Sequence, residues 1–205
     1  MPVRAIPQIV CFGDSLTAGF QSPTPLCPEA VETPYGTFLQ GRLRDRAQVR
    51  VSGVCGELTS EMAVRFDRDV LDCKPAYAVI LGGTNDLGWN LSPHEIMRNL
   101  LEMYERAHAG DVSVVAVTVP SVRGFDDHIP RRHELNAMIH EYCAGYGFSC
   151  VDLFTATAEP ETHRLAARYS NDGLHLTTAG YELLATLLYE QVFKDSPTLL
   201  SHLGG

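Results

Sequence analysis

Four short segments of the chain carry the residue types that acyl-transfer chemistry needs. In chain order they are residues 13–16 (Gly-Asp-Ser-Leu), 53–56 (Gly-Val-Cys-Gly), 83–86 (Gly-Thr-Asn-Asp) and 172–175 (Asp-Gly-Leu-His). A serine hydroxyl attacks a carbonyl only when a base takes its proton, and that base needs an acceptor on its second ring nitrogen. Ser15, His175 and Asp172 offer these three roles. The spacing of Asp172 and His175 allows one turn to hold both side chains on one side.

The same segments offer hydrogen-bond donors for the oxyanion that forms during attack on an acyl carbonyl. The candidates are the amide of Ser15, the amide of Gly56 and the side-chain amide of Asn85. Ser15 is expected to open a helix, whose first N–H groups and dipole favour negative charge. Glycine suits position 56 because it leaves a donor N–H without a Cβ in the way. Gly53 is the alternative donor in this segment.

In this order, Ser15, Gly56, Asn85 and His175 resemble the sequence blocks that define the SGNH hydrolases, also called the GDSL family of esterases and lipases. The resemblance covers residues 11–180. It implies that Ser15 is the nucleophile and an oxyanion donor, that Gly56 and Asn85 are the other donors, and that Asp172 and His175 complete a triad. The second block is looser: residues 51–58 read Val-Ser-Gly-Val-Cys-Gly-Glu-Leu, where the family commonly has Asn-x-Gly-x-x-Gly-Asp-Thr.

This resemblance implies a serine hydrolase that cleaves acyl esters through an acyl-enzyme, without metal or cofactor. A short-chain carboxylic ester is the favoured small-molecule substrate, because a small chain without a lid domain suggests a shallow pocket. Acyl thioesters, lysophospholipids and acetylated carbohydrates are the alternatives within the family. Asp14 and Asp86 are expected to support the site by tying its loops to one another.

Other classes of function account for fewer of these residues. A flavodoxin-like anion or nucleotide binder would hold its ligand at residues 13–17, at a helix start, but it leaves Asp172 and His175 unexplained. A non-catalytic binding module on the same fold is a further alternative, against which the intact triad argues. Asp172 and His175 could also ligate a metal, yet the sequence offers no neighbouring His or Cys at ligand spacing.

Length and composition favour a single globular domain over residues 1–205, with its core at about 6–194. The chain has 45% hydrophobic and 20% charged residues and a formal net charge of −9, which argues against a nucleic-acid partner. Residues 1–7 lack the apolar run of a signal peptide, and no segment approaches the apolar length of a membrane span. The sequence therefore predicts a cytoplasmic protein and leaves its oligomeric state open.

Apolar runs that alternate with amphipathic stretches predict an α/β protein, a three-layer α/β/α sandwich around a parallel sheet. We predict five strands, at residues 8–12, 48–54, 77–81, 112–119 and 148–153. Thr33 followed by Pro34 and the capping box of Ser92 and Glu95 predict two helix starts, and a last helix is expected from near Thr177. In the flavodoxin-like strand order 2-1-3-4-5, three of the four segments meet at the carboxyl edge of neighbouring strands.

Two long loops, residues 21–33 and 120–130, follow strands one and four and are predicted to form the walls of the substrate pocket. Trp89 either lines this pocket or caps the core. Arg123, Arg131 and Arg132 could contact an anionic group of the substrate, but solvated surface charge is the favoured interpretation.

Overall fold

The computed structural model describes residues 6–201 of the 205-residue chain. The interpretation of the first residues as lacking a signal segment falls mainly on residues 1–5, outside the described range. Within that range the strands are β1 (Gln8–Gly13), β2 (Phe20–Gln21), β3 (Val31–Glu32), β4 (Gln48–Gly53), β5 (Tyr77–Leu81), β6 (Ser113–Val117) and β7 (Ser149–Val151).

Five of these strands form one parallel sheet in the order β4-β1-β5-β6-β7. This is the predicted order 2-1-3-4-5, and the predicted α/β fold class is confirmed. The register places Gly13 of β1 opposite Gly53 of β4 on one side and opposite Leu81 of β5 on the other. The three strands therefore end together, and the segments that follow them start from one edge of the sheet.

Two further strands are present that the sequence did not predict, and two of the predicted strands have different limits. β2 and β3 form a small antiparallel sheet inside the long loop after β1. β6 and β7 are shorter than the predicted segments 112–119 and 148–153. β7 stops early because the Asp152 carboxylate accepts a hydrogen bond from the Thr155 amide at 3.0 Å and starts a helix at Leu153.

The helices lie on both faces of the sheet. They are α1 (Ser15–Ala18), α2 (Tyr35–Leu43), α3 (Thr59–Asp69), α4 (Thr84–Gly88), α5 (Pro93–Ala109), α6 (Ile129–Tyr146), α7 (Leu153–Thr157), α8 (Thr178–Leu188) and α9 (Pro197–Leu200), and a π-helical turn, Tyr189–Phe193, continues α8. Single 3₁₀ turns occupy Arg44–Arg46, Leu71–Cys73, Asp126–His128 and Ala167–Tyr169.

Two of the three predicted helix starts are confirmed. The Ser92 hydroxyl accepts from the Glu95 amide at 3.2 Å while the Glu95 carboxylate accepts from the Ser92 amide at 3.0 Å. α8 begins directly after Thr177. The Thr33 cap was wrong, since α2 begins at Tyr35 and the Thr33 hydroxyl instead accepts a hydrogen bond from the Gln21 side chain at 2.7 Å.

Side chains of β1 alternate between the two halves of the core, as a strand covered on both faces requires. Val10 and Phe12 pack in the half built with α3, α5 and α6, whereas Ile9 and Cys11 pack in the half built with α2 and α8. Leu199 of α9 is fully buried in the second half. The core therefore extends past the predicted limit of about residue 194.

Candidate active site

The predicted nucleophile, Ser15, is the first residue of α1, directly after the carboxyl end of β1. The Asp14 carboxylate caps this helix by accepting a hydrogen bond from the Leu16 amide at 2.9 Å. Gly13 allows the close approach that this turn needs, because a Cβ there would lie 2.1 Å from the Leu81 carbonyl oxygen on β5. The local sequence thus places a nearly buried serine hydroxyl at the start of a helix and at the edge of the sheet.

The structure brings Ser15, His175 and Asp172 into one hydrogen-bonded chain. The Ser15 Oγ lies 3.2 Å from His175 Nε2, and His175 Nδ1 lies 2.7 Å from Asp172 Oδ2. Asp172 also accepts from the backbone amides of Leu174 at 2.9 Å and His175 at 2.8 Å through Oδ1. Residues 172–175 therefore form the single turn that their spacing predicts, and Gly173 provides the required positive φ of 85°.

Two serines that the sequence analysis did not single out complete the surroundings of Asp172. The Ser22 hydroxyl donates to Asp172 Oδ2, and the Ser170 hydroxyl lies 3.2 Å from Oδ1 and, closer, 2.7 Å from the His175 carbonyl oxygen. Burial works to raise the pKa of Asp172, but the hydrogen bonds from His175, Ser22 and the two backbone amides hold that pKa well below its usual value. Asp172 therefore stays ionised beside the imidazole. The Phe20 ring packs edge-on against His175, with ring centroids 4.7 Å apart.

Each of the predicted oxyanion donors has an N–H hydrogen that is available to a substrate oxygen. Within residues 6–201, the backbone amides of Ser15 and Gly56 donate to no protein acceptor. The Asn85 side-chain amide donates one hydrogen to the Glu57 carbonyl at 2.9 Å, which leaves its second hydrogen available. This hydrogen bond joins the loop after β4 to α4. It fixes Asn85 against the loop that carries Gly56.

The two glycines of the second segment have different structural reasons. Gly56 has a φ of 81°, and an added Cβ there would meet nothing within 4 Å. A Cβ at Gly53 would lie 2.2 Å from the Ala18 nitrogen, because β4 passes against the backbone of α1. Gly53 thus allows close packing, whereas Gly56 allows a left-handed turn that leaves its amide exposed.

The two aspartates that were expected to tie loops together differ in their contacts. The buried Asp86 accepts from the Thr59 amide at 3.0 Å and from the Thr59 hydroxyl at 2.6 Å, which joins α4 to the start of α3. Asp14 binds only within its own turn, and its Oδ2 is buried without a hydrogen-bond partner. Burial raises the pKa of Asp14 to about 7, with the negative charge of Asp86 adding to the effect of burial.

Arg65 of α3 holds the second segment in place by hydrogen bonds, a role that was not predicted from the sequence. Its guanidinium donates to the Glu57 carboxylate at 2.6 Å and 2.8 Å, to Asp69 at 2.8 Å, and to the Ser52 hydroxyl at 2.8 Å. It also donates to the Gly13 carbonyl at 2.9 Å, next to the Asp14–Ser15 turn. One side chain therefore links the Ser15 segment to the Gly56 segment. Glu57 belongs to the looser second block of this chain, and its ion pair with Arg65 holds it in place.

A cleft of about 420 Å³ opens beside Asn85. It is lined by Thr84, Asn85, Gly88, Trp89, Val122, Phe125, His128, Arg132 and Leu174. The loop at residues 120–130 therefore forms part of the wall, as predicted, and Trp89, 75% exposed, lines the cleft as well. No residue of the loop at 21–33 lines this cleft, so that prediction was wrong for this pocket: Gln21 is tied to Thr178 of α8, and Ser22 turns toward Asp172.

The interpretation of three arginines as solvated surface charge also needs correction. Arg132 is only 2% exposed and lines the cleft. Arg123 pairs with Glu159, and Arg131 donates to the backbone carbonyls of Asn90 and Leu91. None of the three is a free surface charge.

Among residues 6–201, no three His, Cys, Asp or Glu side chains group together in a way that could hold a metal ion. In the same range, no helix is long and apolar enough to cross a membrane. The hydrogen-bonded chain of Ser15, His175 and Asp172 can transfer a proton from Ser15 to His175 while the amides of Ser15, Gly56 and Asn85 donate hydrogen bonds to a negatively charged oxygen.

Comparison with known proteins identifies the family to which this chain is similar. A sequence model of the GDSL-like Lipase/Acylhydrolase family matches residues 11–183. Uncharacterized lipoprotein YqeF of Bacillus subtilis (strain 168) is 28% identical over 132 residues, which are 61% of this chain and 54% of that protein. The chain thus matches about half the length of this curated relative.

Solved structures are similar over almost the whole chain. The lipase/acylhydrolase from Enterococcus faecalis has a TM-score of 0.75 and 28% identity, and the match covers 92% of this chain and 96% of that one. A catalytic mutant of Axe2, an acetylxylan esterase from Geobacillus stearothermophilus, has a TM-score of 0.76 and 17% identity, with 93% and 96% covered. The second likeness, at its low identity, shows the fold alone.

Proposed function

Because this chain belongs to the GDSL-like lipase/acylhydrolase family, we propose that it hydrolyses short-chain carboxylic esters through an acyl-enzyme on Ser15. The observation that carries the proposal is the continuous hydrogen-bonded chain from Asp172 through His175 to Ser15. The fold alone is compatible with many functions, but a serine, an imidazole and a carboxylate in this order supply the groups that acyl transfer on a serine requires, which supports the proposal.

In the first half of the reaction, Ser15 Oγ attacks the ester carbonyl carbon while its proton moves to His175 Nε2. Asp172, ionised and bonded to Nδ1, holds the imidazole in the tautomer that leaves Nε2 free to accept, and it stabilises the imidazolium that forms. The carbonyl π electrons move to its oxygen, and the resulting oxyanion accepts hydrogen bonds from the amides of Ser15, Gly56 and Asn85. Collapse of this intermediate breaks the ester C–O bond, and His175 gives its proton to the departing alcohol oxygen.

In the second half, water takes the place of the alcohol. His175 removes a proton from the water, the hydroxyl adds to the acyl carbon, and the collapsing intermediate releases the carboxylic acid and returns the proton to Ser15. No step needs a metal or a cofactor. Asp86 and Arg65 act outside the reacting atoms, because they hold the segments that carry Asn85 and Gly56.

The cleft beside Asn85, with a volume of about 420 Å³, has room for a short acyl chain. Acetylated carbohydrate is the second candidate substrate. The exposed Trp89 side chain at the cleft favours it, because an indole face beside a pocket is a contact surface for a flat or ring-shaped ligand.

The test is hydrolysis of p-nitrophenyl esters from acetate to octanoate, with peracetylated xylose as a carbohydrate arm. We expect turnover that a serine-directed phosphonate abolishes and a chelator leaves unchanged. Intact-mass and peptide mapping should place the phosphonate on Ser15, and Ser15→Ala should lose several orders of magnitude in kcat with unchanged circular dichroism. A fully active Ser15→Ala variant, or an adduct on another residue, would rule out this mechanism.

A further inference from the structure

One charged group at the cleft has no part in the proposed chemistry. Arg132 lies in the first turn of α6 and lines the cleft, almost completely buried. Both hydrogen bonds of its guanidinium come from Nη1, which donates to the Pro120 carbonyl at 2.9 Å and, weakly, to the Thr84 hydroxyl at 3.4 Å. Its Nε is enclosed without any hydrogen-bond partner. Within residues 6–201, no carboxylate forms an ion pair with it, and the one acidic group whose charge acts on its pKa, the buried Asp14, makes no hydrogen bond to it.

A buried guanidinium in this state is unfavourable for folding by itself. Burial of a charge is costly unless the charge is paired and hydrogen-bonded. The position at the start of α6 adds to this cost, since the helix dipole is positive there. Burial lowers the pKa of Arg132 to about 10, so the group is still protonated at neutral pH. A structural role alone would be filled at least as well by an apolar side chain.

Within the described part of the chain, the lining of the cleft carries no acidic side chain, although the protein as a whole is acidic. The chain has a formal net charge of −9, yet among the described residues neither Asp nor Glu lines the cleft. Its titratable lining residues are Arg132 and His128, and most of its remaining wall is apolar. Apolar walls strengthen the attraction of a fixed charge for an ion that enters between them, because they lower the local dielectric constant.

We propose that this cleft binds a negatively charged substituent of the ester substrate, with the Arg132 guanidinium as its partner. The proposal rests on the proposed function, because it concerns the substrate of that same site. Asn85 lies in the cleft wall, and Leu174, next to His175, lies in it too. An ester held at Ser15 can therefore extend a substituent into the cleft. The negative charge is carried either by the acyl chain or by the alcohol.

Two matched substrate pairs separate these sources. p-Nitrophenyl hexanoate and mono-p-nitrophenyl adipate have acyl chains of equal carbon count that end in a methyl group or a carboxylate. p-Nitrophenyl hexanoate and 3-carboxy-4-nitrophenyl hexanoate carry the same acyl chain and differ by a carboxylate on the leaving group. The measured quantity is the ratio of kcat/KM for the charged ester to that for the neutral ester, after subtraction of the uncatalysed rates.

We expect one of the two ratios to be at least about tenfold in favour of the charged ester, because a charge-assisted hydrogen bond would form only with that ester. Arg132→Met, which keeps the bulk and removes the charge, should lower that ratio at least about tenfold, and Arg132→Lys should give an intermediate value. Arg98→Gln removes the same charge from an exposed position on α5 and should leave the ratio unchanged.

Inhibition of the wild-type enzyme keeps the test decisive if the Arg132 variants do not fold. Free adipate should then inhibit hexanoate hydrolysis at least about tenfold more strongly than adipamide, which has the same shape without the charge. Hydrolysis of the neutral ester without preference for either charged ester, or a preference that Arg132→Met retains, would overturn the inference while leaving the esterase proposal intact. Failure to hydrolyse any of the esters would instead count against the proposed function.

Discussion

The Glu57–Arg65 pair offers a perturbation whose effects on stability and on catalysis can be separated. Glu57→Gln removes the carboxylate charge that faces Arg65 Nε and Nη2 at 2.6–2.8 Å, with side chains only 10% and 7% exposed. Breaking a buried pair costs about 3–5 kcal/mol when the remaining charge has no other partner. Arg65 keeps Asp69 at 2.8 Å and the Gly13 carbonyl at 2.9 Å, so we expect a smaller loss, about 2 kcal/mol. For a chain of 205 residues this corresponds to a decrease in Tm of about 4–8 °C.

The same change should reduce turnover, because the Glu57 carbonyl holds Asn85 and Gly56 directly precedes Glu57. Removing one oxyanion donor entirely costs about 10²–10³ in kcat, so displacing the loop should cost about tenfold, with little change in KM. The measurements are thermal unfolding followed by circular dichroism and steady-state kinetics on p-nitrophenyl esters.

Two variants act as controls. Glu190→Gln breaks an exposed ion pair with Lys194 at 3.0 Å. It should leave kcat unchanged and lower Tm by no more than about 2 °C. Asp69→Asn removes the other carboxylate partner of Arg65 and leaves the Glu57 pair in place, so it should lower Tm without the loss in kcat. If Glu57→Gln left Tm unchanged, or lowered kcat no more than Asp69→Asn did, the positioning role of this pair would be refuted.

Three further outcomes are expected. Asn85→Ala should lower kcat by the equivalent of about 3 kcal/mol with KM nearly constant, because it removes a donor used in the transition state; a rise in KM at constant kcat would make Asn85 a ground-state contact instead. Gly53→Ala should destabilise the fold, since its Cβ would lie 2.2 Å from the Ala18 nitrogen. Gly56→Ala should retain the fold, with a backbone strain of about 1–2 kcal/mol, and lose activity. Equal Tm values and equal activities for the two variants would contradict these different roles. Burial raises the pKa of Asp14 from 3.8 to about 7, so the folded state binds more protons than the unfolded state between about pH 4 and pH 7. The contribution of Asp14 to the free energy of unfolding is therefore lost as the pH rises through that range, by up to about 4 kcal/mol. Urea unfolding of wild type and Asp14→Asn at pH 4.5 and pH 8 should therefore show the variant gaining relative to wild type at the higher pH, and an equal difference at both values would mean that Asp14 does not titrate there.

Local sequence patterns were sufficient to predict the sheet and the core of the site. Strand positions follow from short apolar runs, and the helix start at Ser92 follows from a box that its own four residues complete. The turn that joins Asp172 to His175 is equally local, since three residues and one glycine determine it. Such features can be inferred from the chain because the groups that interact are neighbours in sequence.

The surroundings of those residues were decided by tertiary structure. Ser22 reaches Asp172 across 150 positions, and Arg65 reaches the Gly13 carbonyl across 52. Arg132 resembles a surface arginine in sequence, next to Arg131, but the start of α6 directs it into the cleft between Thr84 and Pro120. No spacing or composition rule marks these side chains, because their partners are set by how the helices pack on the sheet. The residue types and their order thus predict the proposed chemistry, and packing decides which charges support the candidate site and which charge lines the cleft.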